Sequence, residues 1–103
     1  MSTIMQGDEY GLRIGLKTKN NTAVTPENVS DLEITLGRYR KTYLDGDVTW
    51  DGEKWVFPMT QEMSFTFKNK VVCEARAKFT GGDVIGVFIE TLDVTQSQSR
   101  VVL

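Results

Sequence analysis

The side chains able to do covalent or acid–base work are few in this chain of 103 residues, which has one cysteine, Cys73, and no histidine. That composition removes Ser-His-Asp and Cys-His nucleophiles and the commonest zinc ligand sets. Cys73 belongs to an alternating run with Ala75 and Ala77, which favours a buried small hydrophobe over a reactive thiol. A lone cysteine forms no internal disulfide, in keeping with a reducing compartment. Asp45, Asp47, Asp51 and Glu53 offer oxygen ligands for a weakly held calcium ion, but without EF-hand spacing. Interspersed with Gly46 and Gly52, they read first as turn residues. There is no Walker loop; Gly81-Gly82 lacks the strand–loop–helix context that phosphate binding needs. Spacing nominates no carboxylate pair for glycoside chemistry. The sequence thus indicates neither an enzyme nor a cofactor or metal site.

The aromatic residues are more suggestive. Tyr39, Tyr43, Trp50 and Trp55 follow closely on one another beside Arg38, Arg40 and Lys41. One tryptophan is expected to enter the core. The other, with Tyr39 or Tyr43, offers a platform for a sugar ring or an anchor for a protein partner. The competing reading is ordinary cross-strand packing. With Arg76 and Phe88, discussed below, the candidate partner-contact residues are Tyr39, Tyr43, Trp50, Arg76 and Phe88.

The elements that must position these residues read as strands. Period-two alternation runs through Tyr10, Leu12, Ile14 and Leu16 in residues 10–17, and through Leu32, Ile34 and Leu36 in residues 31–39. Residues 18–30 are mostly loop, with room for one helical turn at 26–29 capped by Thr25. A short strand is expected near 42–44. Residues 47–50 and 54–57 flank Asp51-Gly52-Glu53 as a hairpin, with Pro58 ending its second strand. Thr60 to Met63 has the form of a capped turn too short to persist as a helix, after which Phe65 and Phe67 alternate with polar neighbours. The apolar Arg100 to Leu103 segment suggests a final edge strand that pairs internally or with a neighbour. Seven to nine strands with turn signals every ~8–12 residues predict an all-β antiparallel sandwich, a single domain over residues 1–103.

Residues 71–90 carry the sharpest expectation. Cys73, Ala75, Ala77 and Phe79 share the inner face, and Glu74, Arg76 and Lys78 the solvated one. A three-residue loop, Gly81-Gly82-Asp83, sets Phe79 opposite Ile85, Ala77 opposite Val87 and Ala75 opposite Ile89, so that apolar faces apolar. The same register places Arg76 opposite Phe88, where the arginine stem covers the ring, and Glu74 opposite Glu90. Small Ala75 and Ala77 leave room for Trp55 or Phe57 from the facing sheet.

Twelve basic and fourteen acidic residues give a net charge of −2 with both signs scattered. Nucleic-acid binding would call for a basic stripe, and none is present. No apolar run approaches the ~20 residues of a membrane span. The first residues have neither the basic nor the apolar region of a signal peptide.

The whole-chain pattern resembles a group of small tailed-phage and prophage structural proteins, in particular the immunoglobulin-like N-terminal domain of baseplate upper proteins and related tail-fibre adaptors. Residues 7–16 (GDEYGLRIGL), 25–37 (TPENVSDLEITLG), 45–65 (DGDVTWDGEKWVFPMTQEMSF), 73–86 (CEARAKFTGGDVIG) and 93–103 (DVTQSQSRVVL) carry the resemblance. Such upper proteins continue into a shaft, whereas this chain stops at Leu103, so the resemblance implies a free-standing accessory protein or an excised domain. It carries over no catalytic or binding residue. What it implies is an immunoglobulin-like sandwich and a non-enzymatic tail or baseplate role through protein–protein assembly or self-association. The expected location is the host cytoplasm before assembly and the virion after it. Two other functions fit the composition: a phage inhibitor of a host defence protein, and a carbohydrate-binding module built on Trp50 or Trp55.

The inner-face assignment of Ala77 is testable. Ala77→Leu is expected to overpack the interior and cost ~1–3 kcal/mol. A thermal melt unchanged by it would place Ala77 outside the core.

Overall fold

The computed structural model describes residues 3–98. Alternation of apolar and polar side chains sets most of it. Among those residues are eight strands and one short helix: β1 Thr3–Met5, β2 Tyr10–Ile14, β3 Val29–Leu36, β4 Tyr39–Thr42, β5 Thr49–Trp50, β6 Trp55–Met59, α1 Gln61–Thr66, β7 Lys70–Phe79 and β8 Val84–Thr95. They form a five-stranded sheet in the order β1-β8-β7-β3-β4 and a three-stranded sheet in the order β2-β6-β5. All pairings between strands are antiparallel except β1 with β8, which is parallel. The two sheets pack as an all-β sandwich. Leu32, Ile34, Leu36, Ala75 and Ala77 on one side and Trp55 and Phe57 on the other have no solvent exposure. Both alanines and both large rings are buried in that one core, as the inner-face assignment expects.

The long β7–β8 hairpin departs from the expected register. Phe79 N–H donates to Asp83 C=O at 2.8 Å, closing a three-residue loop over Thr80-Gly81-Gly82, with Gly82 at φ +99°. This is one residue earlier than the Gly81-Gly82-Asp83 loop. Ala77 then pairs with Ile85, and Arg76 with Gly86. A bulge follows, after which Ala75 pairs with Phe88, Glu74 with Ile89, Cys73 with Glu90 and Val71 with Leu92. The Phe79–Ile85, Ala77–Val87 and Ala75–Ile89 pairs are therefore incorrect, as are Arg76–Phe88 and Glu74–Glu90.

The physical reason lies beyond Ile89. Without the bulge, Ile89, Thr91 and Asp93 would face inward. With it, Phe88, Glu90, Leu92 and Val94 do; Leu92 is buried, Phe88 and Val94 pack against the core, and Glu90 stays half-buried at the open side. Burying a leucine is worth ~1.5–3 kcal/mol, and the bulge exchanges Ile89 and Thr91 for Phe88 and Leu92 on the inner face. Asp93 instead stays outside and binds Lys70 Nζ at 2.7 Å.

Smaller differences have local causes. The 10–17 strand ends at Ile14, although Leu16 remains buried. The strand expected near 42–44 lies earlier, at Tyr39–Thr42, because Gly37 at φ +61° turns the chain directly out of β3. Residues 43–46 form a turn closed by Gly46 N–H on Tyr43 C=O at 2.9 Å. Residues 26–28 make a single turn closed by Asn28 N–H on Thr25 C=O at 3.1 Å, and Val29 already opens β3. Pro58 lies within β6, on the stretch past the end of β5 where only β2 is a neighbour.

The turn at 60–63 does continue into a helix, and no strand forms over Phe65 and Phe67. Thr60 caps it, its Oγ1 accepting from Met63 N–H at 3.2 Å. Six residues would not hold a helix alone. Contacts with the β1–β2 loop supply the difference. Ser64 Oγ accepts from Gly7 N–H at 2.9 Å and donates to Asp8 C=O at 2.9 Å. Gln61 Nε2 donates to Gly7 C=O at 3.1 Å, and Glu9 Oε1 accepts Gln61 N–H at 3.1 Å. The expected C-terminal strand at 100–103 lies outside the described residues.

The β5–β6 turn is organised by Asp51. Its Oδ1 accepts N–H bonds from Glu53 at 2.9 Å and Lys54 at 2.8 Å, and its Oδ2 accepts Arg13 Nε at 2.6 Å. The Lys54 and Glu53 amides, then Arg13, hold the carboxyl at about 2, below its ordinary 3.8. A folded-state value below the unfolded one adds stability above about pH 4 that is lost as pH falls towards about 2. Asp51→Asn is expected to lower Tm near neutral pH and to flatten the Tm decline between those limits. Parallel declines in variant and wild type would remove Asp51 from that role.

Candidate functional site

The aromatic residues singled out from the sequence fall into two clusters. Trp55, on β6, points inward, and its Nε1 donates to Val24 C=O at 2.9 Å. Trp50, its direct cross-strand partner, packs edge-on against it with ring centroids 5.1 Å apart. Tyr43 meets the same ring edge-on at 5.0 Å. Trp55 is thus the core tryptophan and Trp50 the half-buried one. Both Tyr43 and Trp50 spend their contacts on Trp55 and do not line up as a flat sugar platform.

Tyr39 stands in the other cluster, edge-on to Phe67 at 6.1 Å and under the Arg38 guanidinium at 5.3 Å. Its hydroxyl lies 3.3 Å from Thr66 Oγ1 and accepts from Arg38 Nη2 at 3.3 Å. The Thr66 bond first, then the Arg38 bond, pulls the phenol below its usual value.

Arg76 and Phe88 were expected to meet on one face; the bulge separates them. Arg76 is on the outer face of the five-stranded sheet, where charges match one another. Its Nη2 lies 3.4 Å from Glu74, it pairs across strands with Glu33, and Glu33 also binds Arg40. Lys78 pairs with Asp31 in the same way. This is a solvated face whose exposed ion pairs are each worth little. The five candidate residues therefore do not form one surface.

Phe88 faces the sandwich interior, at its open side between β2 and β8. There it lines a cavity of about 120 Å³ with Leu12, Ile14, Cys73, Glu90 and Leu92. Glu90 faces inward beside Cys73, its cross-strand partner. Burial first, and the Glu90 charge second, push the Cys73 thiol up to about 11. That state is the opposite of an activated nucleophile. Of the clustered acids, Asp45 accepts Thr42 Oγ1 at 2.8 Å and Asp51 holds its turn. Among the described residues no three His, Cys, Asp or Glu side chains are grouped as a metal would need. No helix among them is long and apolar enough to cross a membrane.

The feature the sequence reasoning passed over is the outer edge of β8. β7 covers one side of this strand, while β1 reaches the other only at Asp93, Val94 and Thr95. Along the uncovered stretch Ile89 is 73% exposed, Val84 56% and Ile85 42%. A signal was available. From Val84 to Ile89 the chain is apolar on both faces and carries no lysine or proline of the kind that blunts an edge. No family model, curated protein or solved structure matches the chain.

The buried state of Cys73 has a direct check. In the native protein at mildly alkaline pH a maleimide or disulfide reagent is expected to label it many times more slowly than in denaturant. Equal rates would mean that the cavity admits reagent and leaves the thiol ionisable.

Proposed function

We propose that this chain is a non-enzymatic assembly module of the tailed-phage or prophage structural kind, an adaptor whose working surface is the open edge of β8. The observation that carries this is the uncovered strand with its exposed Val84, Ile85 and Ile89. A bare apolar edge is a template for another chain, through main-chain hydrogen bonds and side chains on both faces. The absence of histidine and the burial of the one thiol, which holds its pKa up, favour binding over catalysis.

The immunoglobulin-like part of the reading finds support in strand order. Lettering β2 to β8 as B, C, C′, D, E, F and G gives sheets B-E-D and G-F-C-C′, the order of variable-type immunoglobulin domains without a C″ strand among the described residues. β1 adds to G in parallel. The inter-sheet disulfide of antibody domains has no counterpart: Cys73 lies on the strand lettered F, while the strand lettered B turns Leu12 and Ile14 inward.

Affinity capture with the tagged chain, from lysates of induced prophage and from disassembled virions, tests this reading. Recovery of a tail or baseplate protein, reduced by Ile89→Lys, is the expected result. Recovery of a host defence enzyme instead, or of no phage protein, would overturn it.

A further inference from the structure

The bulge and β1 together limit what can sit on this edge. After the bulge, side chains alternate regularly: Phe88, Glu90 and Leu92 inward, Ile89 and Thr91 outward. β1 takes the edge from Asp93 onward. An added strand therefore has the stretch from Val87 to Leu92. It needs an apolar side chain over Phe88, another covering Ile89, and a cation opposite Glu90. Among the described residues no cation pairs with Glu90; Arg13, which lines the same cavity, is committed to Asp51 at 2.6 Å.

The chain's own sequence supplies that pattern in Arg100-Val101-Val102-Leu103. Run antiparallel to β8, it sets Arg100 opposite Glu90, Val101 opposite Ile89, Val102 opposite Phe88 and Leu103 opposite Val87. Shifting by one residue towards the loop puts Arg100 against Ile89 and leaves Glu90 without its cation. Running parallel puts Leu103 against Asp93, where β1 already sits.

The same molecule cannot supply this segment. Gln6 N–H donates to Thr95 C=O, and Gln6 Oε1 accepts Ser97 N–H at 3.2 Å, so Ser97 is held past the end of β8. From there Arg100 reaches at most ~10 Å, whereas Glu90 lies seven strand positions back from Ser97, or ~23 Å.

We propose that a second copy of this chain seats its residues 100–103 on the β8 edge, with its Arg100 on Glu90. This rests on the edge being the working surface, and it names the occupant.

Light scattering across a concentration series reads it. The wild-type chain is expected to self-associate, and a chain lacking residues 99–103 to remain monomeric. Glu90→Arg and Arg100→Glu should each weaken association about tenfold, and the two together should recover most of the loss. Oxidative cross-linking of a chain carrying Ile89→Cys and Val101→Cys gives a second readout that needs no charge reversal; a disulfide-linked dimer is expected. A strict monomer, association indifferent to both reversals, double reversal without recovery, or no cross-link would each overturn the proposal. A strict monomer that still captures a tail or baseplate protein would overturn self-pairing alone and leave the adaptor role standing.

Discussion

A strand buried on one face can change which residues it buries only by gaining or losing one residue against its neighbour. β8 does so between Gly86 and Phe88, and much of the molecule's surface follows from it. Before the bulge the inner position is Ile85; after it, Phe88, Glu90 and Leu92. The insertion brings Leu92 and Val94 to the core beside Ile4 and leaves Asp93 outside with Lys70. It also turns Ile89 to solvent and Glu90 to the interior. The apolar exposure and the inward carboxylate are two results of one backbone event. Bulges re-aim side chains at sheet edges elsewhere for the same reason.

A second constraint is polar. Gln6 is buried, and its Nε2 donates to Phe67 C=O at 2.6 Å while its Oε1 accepts Ser97 N–H. Ser64, also buried, ties the short helix to Gly7 and Asp8. These contacts join the β1–β2 loop, the helix and the end of β8. A buried polar group left without partners costs more than a made hydrogen bond returns, so this corner has one low-energy arrangement.

These two constraints mark the limit of what the residues disclosed in advance. Alternation at 73–79 identified the inner face, with Ala75 and Ala77 in the core, and Trp55 or Phe57 as large residues expected to share it; all four are buried. Both depend on local pattern. The bulge could not be read from residues 71–90, because the side chains that decide it, Leu92, Asp93 and Val94, lie beyond them. The helix was discounted because its support comes from residues 7–9, more than fifty positions away. Thr3–Met5 is too short to show a period. The aromatic candidates were grouped by nearness in sequence, but Tyr39 and Tyr43 fall on either side of the β4 end and pack into different clusters. The open edge was written in the lysine-free run after Gly82, yet its meaning required knowing that β1 stops short.

The parallel pairing of β1 with β8 has a mechanical meaning. Thr3, Ile4 and Met5 run alongside Asp93, Val94 and Thr95 in the same direction. Pulling the two ends of the domain apart would slide these strands lengthwise and strain their bonds together, instead of peeling them off one after another. A domain tied this way would transmit tension along its long axis without first opening, a useful property in any part that joins two moving bodies.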